Sequence, residues 1–124
     1  EFFLSAAECD ARYLNIELNP NLCLYFGFGT GRVDRMRLLL PGGGKTLNAC
    51  CVRTATGWDV AYVLPFKLLQ LFFPDFSPSG KIRGNFYKCG DLTAQEHYLA
   101  WNRVDAGHPD FHLPAYFGEL CFSD

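Results

Sequence analysis

Hydrophobic and polar residues alternate along several short segments of the chain. In residues 12–19, Leu14, Ile16 and Leu18 would point to one side of an extended segment and the residues between them to the other. Residues 81–89 alternate in the same way. A period of two residues is typical of β-strands, whose successive side chains point to opposite faces of a sheet.

Turn residues divide the rest of the chain into further extended segments. Pro65 can occupy the first position of a helix, so a short helix is expected at residues 66–73, ending before Pro74. Strands joined by turns, with one short helix, predict an all-β fold, an antiparallel β-sandwich formed by a single domain of residues 1–124. The predicted strands are residues 1–4, 12–19, 22–28, 33–40, 50–54, 57–64, 81–89, 97–101 and 116–122.

Composition narrows the choice of partners. Hydrophobic residues make up 49% of the 124 positions, enough to fill a core. The net charge of -2 gives no electrostatic reason to expect nucleic acid or an anionic membrane. No apolar segment reaches the roughly 18 residues that span a bilayer. We therefore expect no nucleic-acid partner, no membrane and no cofactor.

Six cysteines could form disulfides or bind metal. Six thiols allow 15 pairings, so the sequence does not specify any one of them. No Cys-x-x-Cys motif is present, and the three histidines have no paired cysteines at zinc-finger spacing. We predict mostly buried, free thiols and no metal site, which favours a reducing compartment such as the cytoplasm.

Motifs for phosphate binding and catalysis are incomplete. The glycine-rich residues 27–32 and 42–46 lack the full spacing of dinucleotide or phosphate loops and are interpreted as turns. Asp110 and His112 have no serine or cysteine in a nucleophile motif. Glu17 and Glu119 could form a glycosidase pair, but the sequence does not define their separation. No catalytic residue is predicted.

Aromatic residues crowd an irregular segment near the C-terminus. Phe111, His112, Pro114, Tyr116 and Phe117 lie in or just after it. Exposed rings in a loop can stack on the C–H face of a sugar, with neighbouring polar groups binding its hydroxyls. Alternatively, these rings fold back and cap the core. The residues alone leave both interpretations open.

Six blocks of sequence together resemble the family 9-like carbohydrate-binding modules of bacteria. Two lie early in the chain, Glu-Phe-Phe-Leu-Ser at residues 1–5 and Tyr-Leu-Asn-Ile-Glu-Leu at 13–18. The others are Asn-Phe-Tyr-Lys-Cys-Gly-Asp at 85–91, His-Tyr-Leu-Ala-Trp-Asn at 97–102, Pro-Asp-Phe-His at 109–112 and Phe-Gly-Glu-Leu at 117–120. The resemblance covers nearly the whole chain.

The resemblance implies a β-sandwich that binds mono- or oligosaccharides without cleaving them, often attached to glycoside hydrolases. Phe111 corresponds to one ring of the aromatic pair that holds a terminal sugar in such modules. Glu1, Asn15 and Tyr87 fall on polar strand positions of the site, although Asn15 and Tyr87 are substitutions. His112 lies beside Phe111 and is included in the predicted site.

The resemblance also implies a difference from its relatives. Family members carry strands before the block that begins at Glu1, with the second aromatic ring among them, so the sandwich is expected to be incomplete. An uncovered sheet face and an edge at residues 1–4 would favour a homodimer. Trp101 is expected in the core. Family members are often exported. The alternatives are a self-association module with a decayed sugar site, or a glycoside hydrolase.

Overall fold

The computed structural model describes residues 1–6 and 10–123. Nearly all of its regular structure is extended, and the helix α1 spans Phe66–Phe72. Two short 3₁₀ helices, Gly43–Leu47 and Pro114–Tyr116, lie between strands. The strands are β1 (Phe2–Ser5), β2 (Tyr13–Leu18), β3 (Leu24–Gly29), β4 (Arg35–Leu38), β5 (Cys50–Arg53), β6 (Trp58–Ala61), β7 (Lys81–Gly90), β8 (His97–Ala100) and β9 (Gly118–Cys121).

Seven strands form one antiparallel sheet in the order β4-β3-β2-β1-β7-β8, and β9 also pairs with β7. The first residues of β7 pair with β9 and its last residues with β8. Strands β5 and β6 form a separate hairpin. The predicted class, an all-β antiparallel sandwich with one short helix, is confirmed.

The main core lies between one face of the large sheet and the segment that carries α1. Alternation sends Leu14 and Ile16 of β2 and Phe26 of β3 to this face, where each is at most 1% exposed. From α1, Leu69 and Phe72 pack against them. Burying a side chain of this size contributes about 1.5–3 kcal/mol, so this face provides much of the stability.

A smaller aromatic cluster lies on the opposite face of the sheet. Phe3, Tyr13, Tyr87 and Phe117 are buried there. The rings of Tyr13 and Phe117 meet edge to face, with centroids 5.6 Å apart. Both faces of the central strands are therefore covered, which explains why Asn15 beside them is also completely buried.

The buried side chain of Asn85 attaches the irregular segment at residues 102–116 to this second face. Its Nδ2 donates to the carbonyl of Asn102 at 2.8 Å and of Tyr116 at 3.3 Å. Its Oδ1 accepts from the backbone N–H groups of Phe86 and Asn102. Since an unsatisfied buried amide is costly, the three bonds to Asn102 and Tyr116 hold the two ends of the loop against β7.

The position of the first strand differs from the expectation. Residues 1–4 were predicted to border an unpaired edge, but β1 lies in the middle of the sheet, paired with β2 on one side and β7 on the other. The pairing partners on β7 lie about 80 residues away in sequence. Local alternation predicts a strand but carries no information about such a distant neighbour.

Trp101 is not a core residue, contrary to the prediction. Its side chain is 56% exposed and meets the ring of Phe86 edge to face at 6.0 Å. Phe86 is 45% exposed and Leu99, on β8, is 59% exposed. These three side chains form an uncovered apolar strip, here called the exposed strip. The expectation failed because no described element packs over the end of this face.

The cysteines are more accessible than predicted. Those at positions 23, 50, 89 and 121 are exposed and Cys51 is half-buried. All five are free. The prediction of mostly buried thiols is wrong, because these residues lie at strand ends, in the hairpin and on the outer sides of strands. The sixth, Cys9, lies outside the described residues. Within the described part of the chain, no helix is long and apolar enough to cross a membrane.

Candidate functional site

Polar side chains from neighbouring strands meet on the second face of the sheet, next to the aromatic cluster. Glu17 of β2 lies opposite Tyr25 of β3. Phe2 lies opposite Ile16, so Glu1 comes next to Glu17 across the β1–β2 pair. On the other side, the amide of Tyr87 donates to the carbonyl of Glu1 at 2.9 Å. The strand register thus sets four residues in one row across the sheet: Tyr25, Glu17, Glu1 and Tyr87.

This row borders a cavity of about 580 Å³, which we call the first cavity. The sheet supplies its floor and the loop at residues 108–112 supplies its opposite wall. Charged, amide and aromatic side chains dominate the lining. The lining residues are Glu1, Asn15, Glu17, Tyr25, Arg32, Arg35, Cys89, Asp91, Glu96, Tyr98, His108, Pro109, Asp110, Phe111 and His112.

Several buried polar atoms at this site have no hydrogen-bond partner among the described residues. In the first cavity these are Oδ1 of Asn15 and both terminal nitrogens of Arg35. The buried hydroxyl of Tyr87, whose ring stacks on Phe111, also has no hydrogen-bond partner there. Buried polar groups in proteins are nearly always paired, so a cluster of unpaired ones calls for a partner from outside the chain. The unpaired atoms include both donors and acceptors.

The position of Arg35 is fixed by its surroundings. Its Nε donates to the carbonyl of Gly31 at 2.7 Å, and its guanidinium lies 4.8 Å from the centre of the Tyr13 ring. The side chain is therefore held by one hydrogen bond and a cation–π contact. Its two terminal nitrogens keep their donor capacity for a ligand.

Gly27 leaves room for the groups that converge on the floor of the first cavity. A Cβ atom at this position would lie 2.5 Å from Oδ1 of Asn15, 2.8 Å from the Tyr25 ring and 3.0 Å from Nη1 of Arg35. Real Cβ atoms do not approach other atoms so closely. The absence of a side chain here is thus a condition for the observed arrangement.

Aromatic rings form the wall opposite the sheet. The ring of Phe111 stacks on that of Tyr87, with centroids 4.3 Å apart and an interplanar angle of 13°. Tyr98 meets Phe111 edge to face at 6.3 Å. Phe117 is buried in the aromatic cluster, whereas Phe111 and His112 remain half-buried at the cavity. Phe117 therefore caps the core, whereas Phe111 and His112 stay accessible at the first cavity.

Burial changes the acid–base behaviour of the site. It raises the pKa of Glu1 to about 7, with the neighbouring Glu17 carboxylate as the second cause. Burial also raises the pKa of Glu17, whose Oε1 accepts a hydrogen bond of 2.7 Å from Nδ2 of Asn15. The pKa of His112 is lowered to about 4 by burial and by Arg35, so its ring is neutral at pH 7. Its Nδ1 shares a hydrogen bond of 2.8 Å with the hydroxyl of Tyr13.

A second cavity, of about 740 Å³, adjoins the first. The two share Glu1, Glu17, Tyr25 and Cys89 as lining residues. The second cavity extends from this shared wall to Trp58 at the start of β6. Its remaining lining residues are Leu18, Asn19, Pro20, Cys23, Leu24, Gly57, Tyr87, Lys88 and Thr93.

The structure brings the predicted site residues together. Glu1, Asn15, Phe111 and His112 all line the first cavity, and Tyr87 lines the second while stacking on Phe111. Sequence reasoning missed Arg35, Tyr25, Tyr98 and Trp58, and it assigned Glu17 to a different pair. Alternation along β2 places Glu17 on the same face as Asn15, and this signal could have identified it.

The motifs considered for catalysis do not assemble. Glu119 lies on β9, where it forms an ion pair of 2.8 Å with Lys81, and it lines neither cavity. The carboxylate of Asp110 accepts the backbone N–H of His112 at 2.9 Å, a local turn. Among the described residues, no group of three or more histidine, cysteine or acidic side chains could hold a metal ion.

Comparison with known proteins agrees with the fold. The sequence profile of Carbohydrate-binding family 9 matches residues 1–122. The fold is similar to the crystal structure of a candidate carbohydrate-binding protein from Bacteroides uniformis ATCC 8492, with a TM-score of 0.74 and 27% sequence identity. That match covers 98% of this chain but 59% of the other, so the chain spans little more than half of its structural relative. No curated protein matches the sequence significantly.

Proposed function

The chain belongs to Carbohydrate-binding family 9, and from this premise we propose that it binds a saccharide in the first cavity without cleaving it. One observation carries this proposal. The unpaired Oδ1 of Asn15 and the unpaired terminal nitrogens of Arg35 meet in a cavity that also has an aromatic wall. A ligand that satisfies them must offer donors and acceptors close together on a compact body.

Sugar hydroxyls meet this requirement because each one both donates and accepts. Asn15 Oδ1 and the Glu17 carboxylate would accept from hydroxyls, while Arg35 would donate to them from two nitrogens at once. Hydrogen bonds to charged groups contribute about 1.5–3 kcal/mol each when they form without leaving a partner unsatisfied. The proposed binding residues are Glu1, Asn15, Glu17, Arg35, Phe111 and His112, with Tyr87 supporting the ring of Phe111.

The aromatic wall supplies the apolar part of the recognition. Sugars carry C–H groups on the faces of their rings, and these pack well on flat aromatic surfaces. Phe111 is stacked on one face by Tyr87 and lies half-buried at the cavity. A ring held in this way loses little additional freedom when a ligand packs against it.

Binding fits the carboxylates better than hydrolysis does. A glycosidase needs two carboxyl groups on opposite sides of the scissile bond. Glu1 and Glu17 are cross-strand neighbours on the same face of the sheet, so they approach a ligand from one side. A glycoside hydrolase remains the alternative that an assay for release of reducing sugar would reveal. We expect no release of reducing sugar from oligosaccharides that bind.

Self-association is a second proposed property, and it has its own observation. The exposed strip, formed by Phe86, Leu99 and Trp101, is apolar and lies beside β8 at one end of the sheet order. A twofold axis can cover such a patch with its own copy. We propose a homodimer through this strip rather than through residues 1–4. Dimerisation without any saccharide binding would favour the alternative of a self-association module.

The experiment is isothermal titration calorimetry of the purified chain against a panel of monosaccharides and oligosaccharides. The panel contains glucose, xylose, mannose and galactose with their β-linked disaccharides. Saturable binding that is weakened by Arg35→Met supports the proposal, because methionine keeps much of the side-chain volume but removes the donors. Leu71→Ala is the matched control, since Leu71 is 75% exposed on α1 and lines neither cavity.

A further inference from the structure

We propose that the second cavity is a binding site for a second sugar residue, so that the ligand is an oligosaccharide of at least two residues. One residue would occupy the first cavity and the next would lie against Trp58. This inference rests on the proposed function, because it assumes that a saccharide occupies the first cavity.

The two cavities adjoin each other and share part of their lining. Four residues line both of them, with Glu1, Glu17 and Tyr25 supplying polar groups at the junction. Each cavity lies within the size range of about 300–1,000 Å³ that is typical of small-molecule sites. A ligand confined to the first cavity would leave the larger one, of about 740 Å³, unoccupied.

The position of Trp58 is set by the packing of its hairpin. Trp58 lies opposite Arg53 in the β5–β6 pair. Nη2 of Arg53 donates to Oδ1 of Asn21 at 2.7 Å, which ties the hairpin to the turn between β2 and β3. Pro20 from this turn lines the second cavity together with Trp58. Trp58 therefore belongs to the part of the second cavity that is not shared with the first.

The indole of Trp58 is free to contact a ligand. Its side chain is half-buried, and within the described part of the chain it makes no aromatic stacking contact and no hydrogen bond. Gly57 beside it has no side chain to block access to the indole. An indole face of this kind is well suited to packing on the C–H face of a sugar ring.

The hydroxyl of Tyr87 provides a polar contact for the same sugar residue. Tyr87 lines the second cavity and is only 6% exposed, yet its Oη has no partner among the described residues. A buried hydroxyl without a hydrogen bond costs about 1–3 kcal/mol, so it favours a ligand that can pair with it. Glu1, Asn19, Lys88 and Thr93 add further polar groups to this lining.

These polar groups favour a sugar over a purely apolar group at the second position. Leu18, Pro20 and Leu24 give the cavity an apolar side, which an aryl group could also contact. An aryl group would leave the hydroxyl of Tyr87 unpaired, whereas a sugar residue can satisfy it. The two occupants therefore differ in their dependence on this hydroxyl.

The test compares each monosaccharide with its β-linked disaccharide and with its p-nitrophenyl glycoside, by calorimetry on the wild type, Trp58→Ala and Tyr87→Phe. We expect the disaccharide to bind about tenfold more tightly than the monosaccharide, a gain that one aromatic contact and one hydrogen bond can provide. Each variant should lose most of this gain, and Trp58→Ala, which lies outside the first cavity, should keep the monosaccharide affinity within about twofold. Tyr87→Phe retains the ring that stacks on Phe111, so it guards against a loss caused by misfolding.

Fluorescence gives a second readout of the same contact. The chain has two tryptophans, so Trp58 is the sole one in a Trp101→Phe background. A disaccharide should shift the emission of Trp58, and the monosaccharide should leave it unchanged.

Three results would overturn the inference. Equal affinities for monosaccharide and disaccharide, unaffected by Trp58→Ala, would confine the ligand to the first cavity and leave the proposed function intact. A p-nitrophenyl glycoside that gains as much as the disaccharide and keeps that gain in Tyr87→Phe would identify an apolar occupant. Failure of every saccharide to bind the wild type would instead contradict the proposed function itself.

Discussion

Replacing Gly27 with alanine tests the architecture of the first cavity directly. The added methyl group would lie 2.5 Å from Oδ1 of Asn15 and 3.0 Å from Nη1 of Arg35. Both groups must move to restore a normal contact distance. Asn15 is completely buried, and its Nδ2 already donates to Glu17 at 2.7 Å, so its movement also disturbs that bond.

The expected changes follow from these contacts. Overpacking a well-filled site costs about 1–3 kcal/mol of unfolding free energy. Misplacing Asn15, which contributes about 0.5–1.5 kcal/mol, and the charged Arg35, which contributes about 1.5–3 kcal/mol, should weaken saccharide binding by at least about thirtyfold. The backbone effect has the opposite sign, because glycine to alanine in an unstrained, open position stabilises a protein by about 0.4–1 kcal/mol.

The assay combines calorimetric titration with thermal unfolding of Gly27→Ala and of a matched control, Gly31→Ala. A Cβ atom at Gly31 would have no neighbour within 4 Å, so this control should keep its affinity and be equally stable or more stable by up to about 1 kcal/mol. If Gly27→Ala is instead more stable than the wild type and binds equally well, Asn15 and Arg35 do not pack closely over Gly27. The reasoning about the first cavity would then be refuted.

Three further predictions concern the loop, the histidine and the exposed strip. Phe111→Ala should weaken saccharide binding by about tenfold by calorimetry, and it should also lower the melting temperature, because the ring stacks on Tyr87 at 4.3 Å; unchanged affinity would show that Phe111 only caps the core. The pKa of His112 is lowered from 6.5 to about 4, so its contribution to stability is present above pH 6.5 and is lost as the pH falls through about 4. Denaturant unfolding of His112→Gln should therefore show a weaker pH dependence across this range than the wild type, and identical profiles would contradict the assignment. In sedimentation velocity at micromolar concentration the wild type should be a dimer and Trp101→Ser a monomer; a monomeric wild type would rule out the homodimer, and a dimeric Trp101→Ser would place its interface elsewhere.

Local patterns in the sequence were sufficient to predict the strands and the helix. The predicted strand at residues 81–89 became Lys81–Gly90, and the predicted helix at 66–73 became Phe66–Phe72. Strong alternation and proline act over a few residues, so they are visible in one sequence. The central place of β1 was not predictable in this way, because it depends on pairing with a strand about 80 residues later.

Exposure was harder to predict than strand position. The pairing of β7 with β8 places Trp101 on the same face as Phe86. Alternation within one strand reveals neither this pairing nor whether another element covers that end of the sheet. The aromatic residues near the C-terminus show the same limit, since Phe117 is buried and Phe111 is half-buried only a few residues away. Large apolar side chains indicate that a surface tends to be covered, but they do not indicate which element covers it.

Only part of the lining of the first cavity could be predicted, for a similar reason. The resemblance indicated Glu1, Asn15 and Phe111, which line the first cavity. Arg35 was missed because its position in the cavity depends on Gly27, where a side chain would collide with it. Gly27 lies opposite Arg37 in the β3–β4 pair. Only the register of two strands relates these positions. A charged residue at the start of a short strand otherwise suggests a solvent-exposed side chain.

Calorimetric titration of the wild-type chain with the saccharide panel tests the central claim most directly. We predict saturable binding of at least one saccharide, reduced by Arg35→Met and unchanged by Leu71→Ala, with no release of reducing sugar. The absence of binding by every saccharide, with a chain shown to be folded by cooperative thermal unfolding, would contradict it.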